Sequence, residues 1–92
     1  MDVVVRDNSE LSRYEVLVDE EVAGIADYRV DGDVLVFPHT EIDPRMRGRG
    51  LGEQLVRGAL HDVRRRGAKV RPSCSFVREF IQLNPGYADL AA

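Results

Sequence analysis

The 92-residue sequence predicts an α/β (α+β) fold: one mixed, mostly antiparallel sheet of about five strands, carrying two main helices. Three observations carry that expectation. The first 42 residues hold stretches of period-two alternation separated by turn residues, the pattern of hairpin-linked strands. A strongly amphipathic helix follows over residues 51–66, and a short strand, Lys69-Val70-Arg71, comes directly after it. Strand, helix, strand implies a right-handed crossover, and so one splayed parallel pair in a sheet otherwise built from hairpins.

The elements follow in order. Residues 2–8 open with the run Val3-Val4-Val5, a short strand ended by Asn8-Ser9-Glu10. Tyr14, Val16 and Val18 then alternate with Glu15, Leu17 and Asp19, so at least one face of this strand is buried. Asp19-Glu20-Glu21 reads as a turn, and Val22 to Val30 as a third strand with Tyr28 and Val30 on one side. Asp31-Gly32 supplies a tight hairpin that tolerates positive φ. The returning run Val34-Leu35-Val36-Phe37 is apolar on both faces, as in a central strand covered above and below. Pro38 cannot donate to a ladder, so the strand should bulge or part from a neighbour there and continue through His39 to Ile42.

Leu51, Leu55, Val56, Ala59, Leu60 and Val63 fall at helical spacing, with Glu53, Arg57, Asp62 and Arg64 to Arg66 outside. Gly67 caps the end, aided by the arginines of the last turn. The strand Lys69-Val70-Arg71 should pair parallel to 34–42. Ser73 can cap a final helix through Phe76, Val77, Phe80 and Ile81, which Asn84-Pro85-Gly86 stops; Tyr87 to Ala92 reads as a tail.

Length limits the chain to a single domain, 1–92, burying about 60–65% of its unfolded surface. One cysteine and two histidines support neither an internal disulfide nor a structural zinc site, so no metal is expected. The sequence has no long apolar run and no charged, apolar, small leader, which argues against a membrane span or secretion and for the cytoplasm. The net charge of −3 hides a division: residues 1–42 carry eleven Asp and Glu against three Arg, whereas 43–71 carry nine Lys and Arg against three acids. A basic patch on a glycine-rich turn suits a small polyanion, and the acidic flank argues against a long nucleic acid. Arg64-Arg65-Arg66 alone reads as a solvated helix face.

The basic stretch is centred on Pro44-Arg45-Met46-Arg47-Gly48-Arg49-Gly50-Leu51-Gly52. Glycines at alternate positions let the backbone turn and let an anion approach its N–H groups, and the helix that follows adds its positive end. Gly48, Gly50 and Gly52 lack the dinucleotide spacing, and no Gly-Lys-Ser/Thr follows, which excludes a nucleoside-triphosphate loop. What remains is Arg47-x-x-Gly50-x-Gly52 after Ile42-Asp43-Pro44. That pattern resembles the pyrophosphate-binding motif of the GNAT superfamily of acyl-CoA-dependent N-acyltransferases, which lies between a bulged central strand and a long helix. Phe37-Pro38-His39-Thr40-Glu41-Ile42, Pro72-x-Cys74-x-x-Val77 and Asn84-Pro85-x-Tyr87 extend the similarity over residues 35–90, toward a small single-domain GNAT-like subgroup.

The resemblance implies a GNAT-like fold and an N-acetyltransferase moving an acetyl group from acetyl-CoA to an amine, with coenzyme A as the cofactor. It implies that Thr40 to Ile42 meet the pantetheine arm through their backbone. Arg47, Gly48, Arg49, Gly50, Leu51 and Gly52 would hold the pyrophosphate. Cys74, at a helix start and near arginines, is a candidate nucleophile that would carry the acetyl group, its alternative being a buried structural cysteine. His39 is either a base or orienting group for that thiol or a satisfied imidazole, and Glu41 is a second candidate base. Arg45 and Arg49 are candidates to meet phosphates, and His61 has no assigned role. Partners expected are acetyl-CoA and a small-molecule or protein amine, on a monomer or homodimer. The helices usually inserted after the first strand of these enzymes, and their usual last strands, have no counterpart here. The alternative is therefore a non-catalytic CoA-binding or protein-interaction module.

Overall fold

The computed structural model describes residues 2–92. Its strands are β1 (Val3–Asn8), β2 (Arg13–Val18), β3 (Glu21–Asp31), β4 (Val34–Ile42) and β5 (Lys69–Arg71), and its helices are α1 (Leu51–Arg65) and α2 (Ser75–Leu83). The five strands form one sheet in chain order, antiparallel from β1 to β4 and parallel between β4 and β5. The crossover through α1 produces that parallel pair, since a right-twisted strand feeding a helix returns to the sheet on one side. Among the described residues, no helix is long and apolar enough to cross a membrane.

Both helices lie on one face of the sheet. Leu51, Leu55, Val56, Ala59, Leu60 and Val63 of α1 join Val77, Phe80 and Ile81 of α2 in a core with Tyr14, Val16, Tyr28, Leu35 and Phe37. Three aromatic rings form its centre, with Tyr14 and Tyr28 centroids 5.4 Å apart and Phe37 6.1 and 6.2 Å from them. Gly58 lets α1 approach the edge strand, because a Cβ there would stand 2.7 Å from Val5 Cβ. The apolar run of β4 therefore has helices on one side only, not above and below. Val36 on the other face is 3% exposed, with Arg29 and Arg71 as its cross-strand neighbours. Val30, read on the same side of β3 as the buried Tyr28, is 56% exposed near the strand's end.

Pro38 does what its missing N–H requires. On β4, Phe37 and Pro38 stand opposite the single residue Tyr28, between the pairs Arg29 with Val36 and Asp27 with His39. The expected parallel pairing of 34–42 is shorter than the sequence suggests, running only from Val34 to Val36 against Lys69 to Arg71. Beyond it each strand reaches a proline, Pro38 and Pro72, neither of which can donate to a ladder. The Cys74 N–H reaches across to the Phe37 carbonyl at 2.7 Å, and the strands part.

The helix ends follow their capping chemistry, with two corrections. Gly67 adopts φ +71° past α1, and the N–H groups of Gly67 and Ala68 satisfy the carbonyls of Arg64 and Val63. Ser73 does not cap α2: Cys74 does, because its bond to Phe37 fixes where the chain turns into the helix. The segment after α2 is more than a tail. Pro85–Leu90 forms a 3-10 turn, Leu90 is buried, and Ala91 bridges Val70 beyond β5, with the Ala92 N–H on the Val70 carbonyl at 2.8 Å.

Candidate functional site

The splay of β4 from β5 opens a cleft of about 500 Å³ lined by His39 to Ile42, Met46, Arg47, Gly48, Gly50 to Glu53 and Phe76. Its wall is backbone. The Asp43 N–H donates to Ala23 at 2.8 Å, so by the alternation of an antiparallel ladder Glu41 and His39 turn their peptide groups toward β3. Those of Ile42 and Thr40 turn the other way, into the cleft, where β5 no longer reaches them.

The floor of the cleft is the glycine turn. Asp43 starts it: its side chain accepts the Arg45 N–H at 3.0 Å and pairs with the Arg45 guanidinium at 2.9 Å, closing a 3-10 turn over Pro44–Met46. That pair holds the Asp43 carboxyl below its ordinary range. Arg45 is thereby engaged by Asp43, whereas Arg47 and Arg49 are exposed and enter no ion pair among the described residues. Arg47 lines the cleft and Arg49 does not. Gly48 at φ +82° and Gly50 at φ +73° occupy the left-handed region, which explains glycine at both. Gly50 is itself the N-cap of α1 and offers no side-chain acceptor, so the first-turn N–H groups of Leu51, Gly52 and Glu53 face the cleft end without an intrahelical partner. Gly52 serves a different need from the other two: a Cβ there would come 2.9 Å from Phe76 Cζ.

Cys74 stands at the apex of the splay, half-buried at the start of α2 and outside the cleft lining. Its Sγ lies 3.6 Å from Thr40 Oγ1. Burial works against ionisation, but the N–H groups of Val77 and Phe76 and both the hydroxyl and N–H of Thr40 face the sulfur. Together they hold the thiol below its ordinary value. None of the helix amides is close enough to make Cys74 a full side-chain cap.

His39 and Glu41 face each other, with Nε2 and Oε2 3.6 Å apart, and both are more than half exposed. Strand alternation puts them on the sheet face opposite Thr40 and Cys74, and His39 makes no hydrogen bond to the thiol among the described residues. The cleft thus brings together His39, Thr40, Glu41, Ile42, Arg47, Gly48, Gly50, Leu51 and Gly52, with Cys74 behind Thr40 and Arg49 outside the lining. Phe76, Met46 and Glu53 are cleft residues that the sequence did not single out. Phe76 carried a signal only in retrospect, as the partner of a helical glycine.

The arginine run is no free basic surface. Arg64 donates to the Gly86 carbonyl at 2.9 Å and to Asp89 at 2.8 Å and lies over the Tyr87 ring. Arg65 pairs with Asp62. Arg66 reaches Asp7 at 3.4 Å and Tyr14 at 3.2 Å. His61, given no role from the sequence, is bonded to the Tyr87 hydroxyl at 2.7 Å.

This arrangement, a bulged strand with outward peptide groups beside a glycine turn that opens a helix, has relatives of known structure. A GCN5-like protein from Staphylococcus aureus superposes with a TM-score of 0.72 at 20% identity, over 97% of this chain and 87% of that one. The ribosomal-protein-S18-alanine N-acetyltransferase of Escherichia coli matches with a TM-score of 0.63 at 18% identity, over 77% of this chain and 49% of its own. AAC(6')-Iy, solved with the bisubstrate analog CoA-S-monomethyl-acetylneamine, matches with a TM-score of 0.52 at 16% identity, over 77% of this chain and 58% of its own. At these identities the likeness is one of fold. Compared with the curated proteins, the sequence finds no match. The family model described as GCN5-related N-acetyl-transferase matches residues 13–90, from the start of β2 to Leu90. With the splayed sheet and the glycine turn both inside that match, the chain belongs to the GCN5-related N-acetyltransferase family.

Proposed function

We propose that this protein binds acetyl-CoA in the cleft between β4 and the glycine turn and transfers the acetyl group to an amine. The observation that carries the reading is the cleft itself, in which the outward peptide groups of Thr40 and Ile42 lead from the splay to the open N-terminus of α1. An extended pantetheine arm with two amides matches the first, and a pyrophosphate matches the second together with Arg47. The thioester then arrives beside Thr40 and Cys74.

Two routes use this geometry. In the direct one, the amine attacks the thioester carbonyl, the carbon–sulfur bond to CoA breaks, and the proton shed by the nitrogen passes to a base, for which Glu41 and His39 are the nearby groups. In the covalent one, the Cys74 thiolate attacks first and CoA leaves as a thiolate that takes a proton from solvent; the amine then attacks acetyl-Cys74, gives its nitrogen proton to the same base and releases the Cys74 thiolate. The lowered thiol and its four surrounding donors support the second route.

Calorimetric titration with acetyl-CoA tests the reading; the expected result is saturable binding that charge removal at Arg47 weakens. No heat and no thermal shift at millimolar ligand overturns it. Intact mass after incubation tests the covalent route, which expects one acetyl adduct that is lost in Cys74→Ala; an adduct that persists in that variant rejects it.

A second reading, a module that binds CoA without turnover, has one observation in its favour: His39 and Glu41 are exposed on the opposite face from Cys74. Turnover above background with any member of an amine panel rejects it.

A further inference from the structure

The cleft does not end at the glycine turn. A second groove, of about 370 Å³, runs between α1 and α2 and is lined by Glu53, Phe76, Glu79, Phe80, Leu83 and Asn84. Glu53 and Phe76 line both cavities. Phe76 is kept at this junction by the bare Cα of Gly52, against which its ring lies. The two cavities therefore adjoin, one at the splay of the sheet and the first turn of α1 and the other along α2, with Glu53 and Phe76 between them.

The second groove differs chemically from the first. Its floor is apolar: Phe76, Phe80 and Leu83, the last 76% exposed at the end of α2. Its polar atoms are acceptors. Asn84 donates Nδ2 to the Phe80 carbonyl at 2.9 Å, which leaves its side-chain oxygen open among the described residues. Glu53 and Glu79 are exposed and enter no ion pair there. The Arg57 guanidinium, 5.2 Å from the Phe80 centroid, offsets one of these two charges. A flat, uncharged heteroaromatic ring with an amino group fits such a surface, stacking on the apolar floor and donating to the rim. A phosphate fits it less well, since the groove's rim keeps a net negative charge after Arg57 is counted.

Resting on the reading of the first cleft as a coenzyme A site, we propose that this groove takes the adenine of the same coenzyme and disfavours the phosphate on its ribose. Thioesters of 3′-dephospho-CoA are then bound at least as tightly as those of CoA. The ribose spans the wall common to the two cavities, so its 3′ substituent falls beside Glu53. Glu53 is the acidic residue of the first turn of α1.

Calorimetry on the full chain with acetyl-CoA, acetyl-3′-dephospho-CoA and S-acetyl-4′-phosphopantetheine, at one fixed ionic strength, tests this. The dephospho compound is expected to bind as tightly as acetyl-CoA or up to about fivefold tighter, the size of an exposed charge interaction. The phosphopantetheine thioester is expected to bind about tenfold more weakly than either, for want of the stacked ring and of the second phosphate at the glycine turn. Glu53→Gln and Glu79→Lys each shift the ratio toward acetyl-CoA. Leu83→Ser weakens both nucleotide thioesters alike and leaves the phosphopantetheine thioester unchanged. Acetyl-CoA binding measurably tighter than its dephospho form overturns the proposal, as does a phosphopantetheine thioester that equals acetyl-CoA; either result leaves acetyl-CoA binding in the first cleft standing. Failure of all three to bind overturns that reading and this proposal with it.

Discussion

Glu15 is a carboxylate in the middle of β2, on the sheet face that no helix covers, and yet it is 1% exposed. Its oxygens accept from Arg6 Nε at 2.9 Å, Arg13 Nε at 2.8 Å and Asn8 Nδ2 at 3.1 Å. The register brings these groups together, since Arg6 stands directly opposite Glu15 and Asn8 opposite Arg13. Replacing Glu15 with Ala removes all three bonds. The Arg6 head is 55% exposed, so screening cuts its share below about 1 kcal/mol. Arg13 is 29% exposed and contributes about 1.5 kcal/mol as a charged donor, and Asn8 about 1 kcal/mol as a neutral one. The burial penalty that vanishes with the carboxylate offsets part of this, leaving a net loss of about 2 kcal/mol. For a domain of this size that lowers Tm by about 8–16 °C. Burial raises the Glu15 pKa, but the three donors outweigh it and hold the carboxyl below its ordinary range. A depressed folded value means that the stabilisation is complete above the unfolded pKa of about 4.3 and is lost as pH falls through the folded one. Thermal melts of wild type and Glu15→Ala from neutral to strongly acidic pH check this: the two Tm values should differ at neutrality and converge in acid. A neutral-pH difference below about 3 °C, or one undiminished well below pH 3, would refute the reasoning.

Other parts of the structure make equally definite statements. Gly58→Ala places a methyl 2.7 Å from Val5 Cβ. Overpacking should exceed the gain in helix propensity and cost about 1 kcal/mol in chemical denaturation; a Gly58→Ala variant at least as stable as wild type contradicts the close approach of α1 to β1. Burial and the hydrogen bond to Asp7 push Tyr28 up to about 12, and burial with Asp62 pushes Tyr14 higher still. Their folded values being raised, stability should be full below the unfolded tyrosine pKa of about 10 and fall as pH rises above it; an alkaline absorbance titration in which Tyr28→Phe fails to remove a late step contradicts this. Cys74 should be alkylated with a pH midpoint below that of the denatured chain, about 8.5. Thr40→Val should move that midpoint upward; a wild-type midpoint at or above the denatured one counts against the thiol's surroundings as described.

Much of the site was legible because it depends on local chemistry. Pro38 lacks an N–H wherever it stands, so a bulge in an apolar strand could be read from one residue. Gly48 and Gly50 take positive φ in a turn whose sharpness their spacing announces. The family resemblance carried by Arg47-x-x-Gly50-x-Gly52 agrees with the family match over residues 13–90. Where the reading fell short, the deciding partner was distant in sequence. Ser73 had the better capping side chain, but the bond from Cys74 to Phe37 moved the helix start by one residue. The arginines 64–66 looked solvated because Asp7, Asp89 and the Gly86 carbonyl reach them only through the fold.

Taken alone, the sequence determined the hairpins, the crossover helix, the bulge and the glycine turn, since alternation, helical spacing, proline and glycine act within a few residues. Only the tertiary structure decided how far β4 and β5 stay paired, which sheet face stays open, and that Thr40 rather than His39 meets Cys74. It also decided that Gly52 exists for Phe76. These are contacts between segments separated by twenty residues or more, and chain periodicity carries no information about which of two faces a remote element will cover.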